Sequence, residues 1–158
     1  MEFLSYLAAS KVSDWLLVSM WGFPTLIALH SVGMGVVVGI AFTTALQLNG
    51  IVAPFSEETM PKLLTVGIWG FTLNFLTGVT IFITRAPEYI VNVTFLVKML
   101  LVIIGAVILV LLRQRLVSHE PVVAGVDRVA RRMSVVGATS WFAAVVAGRL
   151  IAYLSNLY

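Results

Sequence analysis

Trp21 to Leu48, WGFPTLIALHSVGMGVVVGIAFTTALQL, is an apolar run of 28 residues with His30 as its one ionisable side chain. A helix of this length exceeds the roughly 30 Å hydrocarbon core of a bilayer, so the run reads as a membrane span. An ionisable group at such depth is costly unless something binds it. Ser31, Gly33, Gly35 and Gly39 surround His30 in sequence, and Gly35 with Gly39 forms a small-xxx-small pair expected to admit a second helix at close range. The helix is therefore expected to be central rather than lipid-facing. His30 and Met34 lie four residues apart and share a face, one turn apart. The pair could ligate a haem iron or a soft metal ion, or simply pack.

The rest of the chain fits the same environment. Of 158 residues, 60% are hydrophobic and 11% charged, and a mean hydropathy of +1.04 bounds the chain to a polytopic membrane protein. The absence of cysteine excludes disulfides, thiolate metal sites and thiol catalysis, leaving histidine, methionine and carboxylates for any metal chemistry. A net charge of +3 suggests nucleic acid in a soluble protein, but arginines in a membrane protein collect in cytoplasmic loops for topological reasons. No nucleic-acid partner is expected.

Residues 2–19 interleave Glu2, Ser5, Lys11, Ser13 and Asp14 with Phe3, Leu7, Val12, Trp15 and Leu16, the pattern of an amphipathic helix lying in the interface. The acidic opening and the lack of a small-x-small cleavage site before Trp21 speak against a cleaved signal peptide. Trp15 and Trp21 stand where an interfacial aromatic belt would anchor the first span.

Four spans are expected, over about 22–48, 62–84, 90–112 and 133–155, in a single transmembrane domain: an all-α, integral-membrane four-helix bundle. Asn49 to Pro61 reads as a loop, and Arg85 to Tyr89 as a tight turn. Gly70, Asn74 and Gly78 recur every four residues and form a narrow face around one amide. The connection from Arg113 to Arg132 holds Arg113, Arg115, Arg128, Arg131 and Arg132 and is expected to be cytoplasmic, with Asp127 capping the last helix and His119 solvated. Both termini and the Arg85–Tyr89 turn then face outward.

Counting inward from the outer span ends, His30, Asn74, Lys98 and Arg149 each lie eight to ten residues deep, roughly 12–15 Å at the rise of a helix. Every helix thus places its most polar intramembrane side chain at one level. Two cations and one imidazole without an intramembrane carboxylate call for an anionic partner. Glu88 from the outer turn is one; the propionates of a haem held by Lys98, Arg149 and Arg85, with His30 facing the same cavity, are the sharper one. No nucleophile–base pair, phosphate loop or paired-carboxylate site appears, so hydrolase and kinase readings lack support.

The segments FPTLIALHSVGMGVVVG, LTGVTIFITRAPEYIVNVTFLVKMLLVIIGA and AGRLIAY resemble a family of small bacterial four-helix membrane proteins of unknown function, over nearly the whole chain. That family in turn resembles the copper-resistance D-type membrane proteins and the haem-binding bacterial protoporphyrinogen oxidases, whose first-helix histidine and third-helix lysine match His30 and Lys98. The chain departs from the oxidases in having no histidine between His30 and His119. The resemblance implies the bacterial inner membrane, where the outward-facing termini expected from the arginine-rich connection are periplasmic.

Three functions are in view. The first is a b-type haem protein in electron transfer, or a small subunit of a respiratory or photosynthetic assembly, with His30 as axial ligand. The second is copper(I) handling by His30 and Met34, joined by Met99 of the third span, against which the cations Lys98 and Arg149 count. The third is a cofactor-free assembly subunit that binds larger membrane partners or a second copy of itself.

Overall fold

Lipid offers no hydrogen bonds to the backbone, so a chain this apolar satisfies its amides within helices. The computed structural model describes residues 2, 6, 8–53, 55, 56, 58–118 and 128–154. Among these residues six helices follow one another: α1 (Lys11–Val18), α2 (Gly22–Leu48), α3 (Thr59–Thr84), α4 (Ala86–Ile90), α5 (Val93–Ser118) and α6 (Arg128–Leu154). Helices α2, α3, α5 and α6 are long and apolar enough to cross a membrane, and the chain is an all-α four-helix bundle. Around the bundle the order is α2, α3, α5, α6; the pairs α2–α3 and α5–α6 pack most closely, and α6 closes back on α2.

Local chemistry sets the helix ends. Ser10 caps α1, its hydroxyl accepting from the Ser13 amide at 3.3 Å, so α1 starts at Lys11; part of the expected 2–19 helix lies outside the described residues. The Ser19 hydroxyl accepts from the Gly22 amide at 3.0 Å where the chain turns into α2. Helix α2 ends in a left-handed Gly50, φ +74°, with Gly50 N–H donating to the Gln47 carbonyl and Ile51 N–H to the Leu46 carbonyl, both at 2.9 Å. Helix α3 starts at Thr59 rather than 62, with Pro61 in the first turn, where its missing N–H costs nothing.

Helix α5 starts at Val93 rather than 90 because the Asn92 carboxamide oxygen accepts from the Phe95 amide at 3.1 Å, a cap that follows the short α4 turn. Phe82, Tyr89 and Phe95 stack at that turn with centroids 5.3–6.3 Å apart and fix the α3–α5 connection.

At the other end, α5 runs six residues past the expected 112 and α6 begins five residues before the expected 133. A cluster of Met60, Leu64, Leu109, Leu112 and Ala130, flanked by Leu116 and Met133, explains both extensions by packing. The expected polar connection over 113–132 is therefore helical at both ends. His119 and the expected Asp127 cap lie outside the described residues.

The small residue that brings α2 onto α3 is Gly33, not the expected Gly35–Gly39 pair. A Cβ on Gly33 would stand 2.8 Å from the Asn74 amide nitrogen and the Gly70 carbonyl oxygen, whereas nothing lies within 4 Å of one on Gly35 or Gly39. Positions two apart on a helix differ by about 200° in azimuth, so the stripe of Ser31, Gly35 and Gly39 faces outward.

Candidate functional site

The close α2–α3 crossing drives one polar side chain from each helix into the other. Asn74, 4% exposed, projects from the Gly70–Asn74–Gly78 face of α3, and its amide donates to the His30 backbone carbonyl at 2.9 Å. In return the His30 Nδ1 lies 3.1 Å from the Asn74 backbone carbonyl and 3.1 Å from the Thr77 hydroxyl. The imidazole Cε1 sits 3.1 Å from the Cβ position of Gly78, so a larger residue there would press on the ring.

This network assigns the imidazole tautomer. Thr77 Oγ1 donates its own hydrogen to the α3 backbone, 2.7 Å from the Leu73 carbonyl and 3.1 Å from that of Asn74, so toward His30 it accepts. With two acceptors facing it, Nδ1 carries the proton and Nε2 keeps its lone pair. The Asn74 amide nitrogen lies 3.4 Å from both ring nitrogens. Their lone-pair directions diverge, so an equidistant donor is well aligned with neither. A backbone carbonyl on Nδ1 is the usual orienting contact of a ligating histidine.

Lys98 projects from α5 toward α6. Its side chain from Cδ to Nζ lies 3.5–3.7 Å from the Cβ position of Gly148, so α6 supplies the seat over which the lysine stem runs. It is half-buried, and among the described residues no carboxylate pairs with it.

The other candidates stand apart from this group. Arg149 has the expected height but is exposed, one residue and about 100° beyond Gly148. Arg85 and Glu88 face each other at 3.9 Å on the exposed turn, so Glu88 is not the counter-ion of Lys98. Met34 is half-buried one turn after His30 and takes no part in the hydrogen bonds around the imidazole; Met99 is half-buried beside Lys98 in sequence. Thr77 joins the group as a residue with no signal of its own in the sequence beyond its position three residues after Asn74, on the same face.

Chemically the group offers one neutral imidazole nitrogen and one ammonium. The ammonium repels a copper ion from the imidazole, whereas the same two groups suit a metal complex that carries its own carboxylates. The described residues hold no group of three histidine or carboxylate side chains able to bind a bare metal ion.

Replacing Asn74 by alanine removes the bond to the His30 carbonyl but leaves the backbone acceptor of Nδ1. The expected cost is about 1 kcal/mol, typical of an interhelical hydrogen bond in lipid. Unfolding of the detergent-solubilised protein in a series of sodium dodecyl sulfate fractions measures it, and an unchanged midpoint would remove Asn74 from the account of the α2–α3 contact.

No protein-family model, curated protein or solved structure matches the chain.

Proposed function

We propose that the protein is a membrane-embedded b-type haem protein serving electron transfer, alone or as a small subunit of a respiratory or photosynthetic assembly of the bacterial inner membrane. The observation that carries this reading is the setting of His30, whose Nδ1 lies 3.1 Å from both the Asn74 carbonyl and the Thr77 hydroxyl, an arrangement that puts the ring proton on Nδ1 and the lone pair on Nε2. His30 would hold the iron and Lys98 a propionate; Asn74 and Thr77 orient the imidazole, Gly78 gives the ring space, and the lysine stem runs over Gly148. Bound there, the haem supplies a one-electron couple. Arg85, Arg149 and Met34 have no part in this arrangement. The arginine-rich end opposite His30 favours a periplasmic location for both termini.

Absorption spectra test the reading. Protein expressed with haem supply is expected to show a Soret band and a dithionite-reduced alpha band, lost in His30→Ala and weakened in Lys98→Met at equal expression. Lys98→Met keeps the volume and removes only the charge. Wild-type protein without these bands would overturn the proposal and leave His30 as an interhelical clasp in a cofactor-free subunit.

A further inference from the structure

At the end of the bundle away from His30, a groove of about 480 Å³ opens between the C-terminal end of α2 and the first turns of α6, lined by Asn49, Arg128, Arg131, Arg132, Val135 and Val136. We propose that it binds the headgroup of an anionic phospholipid, with the arginines on the phosphate and the valines against the start of an acyl chain.

Charge is the first argument. Arg128, Arg131 and Arg132 stand at i, i+3 and i+4, so their side chains share one side of α6. Like charges at this spacing repel, and an anion between them removes the repulsion. Among the described residues none of the three is in an ion pair, and no carboxylate lines the groove. Guanidinium groups match phosphate oxygens in paired hydrogen bonds.

The wall is the second argument. Val135 and Val136 are 44% and 48% exposed, one turn deeper than the arginines in a helix that qualifies as a membrane span from Arg128 onward. A soluble anion has no use for an apolar wall, whereas a phospholipid carries phosphate and hydrocarbon in this order along the membrane normal. Topology accounts for arginines at this end of the bundle, but not for their clustering beside a groove with an apolar floor.

Native mass spectrometry of the full-length protein in detergent, titrated with phosphatidylglycerol, phosphatidylcholine or inorganic phosphate, tests the site. The wild type is expected to retain phosphatidylglycerol in preference to phosphatidylcholine. Each arginine removed should cost about fivefold in retention, and R128Q/R131Q/R132Q on the order of a hundredfold. The charge-reduced control K11Q/K62Q should bind as wild type. Equal retention in the triple variant and this control, no preference between the two lipids, or displacement of phosphatidylglycerol by an equal concentration of inorganic phosphate would each overturn the proposal. If the triple variant does not insert, R131K/R132K decides: it keeps the charge but loses the paired geometry, and wild-type retention in it would count against the site.

Discussion

Gly33→Val is expected to undo the docking of α2 on α3 and to cost at least about 3 kcal/mol, the upper part of the range for overpacking. The reason lies in what a Cβ would meet. At Gly33 it would stand 2.8 Å from the Asn74 amide nitrogen and the Gly70 carbonyl oxygen and 3.1 Å from the Asn74 Cα, all backbone atoms of α3 with no rotamer to escape into. At Gly70 a Cβ would meet Val36 Cγ1 at 2.7 Å and Cβ at 2.9 Å and the Gly33 carbonyl oxygen at 3.3 Å, so the crossing is closed from the α3 side as well. Helix propensity does not explain the loss, because valine is a better helix former than glycine. Lipid provides no hydrophobic drive to offset it, so the close approach and the bonds it permits are the contact. Separating the helices also breaks the reciprocal pair in which Asn74 holds the His30 carbonyl and the Asn74 carbonyl faces Nδ1, at 2.9 and 3.1 Å. Gly35→Val and Gly39→Val are the controls, since nothing lies within 4 Å of either Cβ position. Their unfolding midpoints should fall within about 0.5 kcal/mol of wild type, as for open surface positions. Equal stability of the Gly33 and Gly35 variants would show that the α2–α3 crossing does not depend on this approach.

The contrast between these glycines marks where sequence reading stops. Hydropathy found the four long helices because a lipid-crossing run is a property of one segment. It found the Gly70–Asn74–Gly78 face of α3 because a buried amide needs small neighbours. On α2, however, the Ser31–Gly35–Gly39 stripe and Gly33 are equally small, and only the partner decides which side is used. Depth counting put Lys98 and Arg149 at one height, and height says nothing of azimuth: Gly148 faces Lys98, so Arg149 has turned outward. Thr77 hid behind the ordinary habit of a mid-helix threonine, whose hydroxyl bonds the carbonyl four residues back. Its accepting role toward His30 exists only across two helices. Helices α5 and α6 outrun their apolar stretches because hydropathy measures the lipid-crossing run, whereas Leu116, Ala130 and Met133 continue the packing beyond it.

The second large effect is expected at Trp141, which ties three helices together and is 1% exposed. Its indole lies against Gly105 of α5, with Cε2 2.7 Å and Nε1 2.8 Å from the Cβ position there, and meets Phe71 of α3 edge-on at a centroid distance of 5.8 Å. Packing around it leaves a void of only about 10 Å³, shared with Leu64, Leu109 and Leu112. Trp141→Ala opens a cavity that rigid helices cannot collapse, and should cost about 3 kcal/mol, the low end for such truncations because the transfer from water is missing in lipid. Gly105→Ala is expected to be harmful for the opposite reason, pushing a methyl group into a ring that has nowhere to go, at about 1–3 kcal/mol. The two effects are linked by one contact, which gives a sharper test than either alone. Trp141→Phe draws the ring back from Gly105 and should suppress most of the Gly105→Ala defect, so that the double variant is more stable than the sum of the single ones by about 1 kcal/mol or more. Strict additivity of the two substitutions in unfolding measurements would mean that the indole does not rest on Gly105, and that the seam between α5 and α6 is held elsewhere.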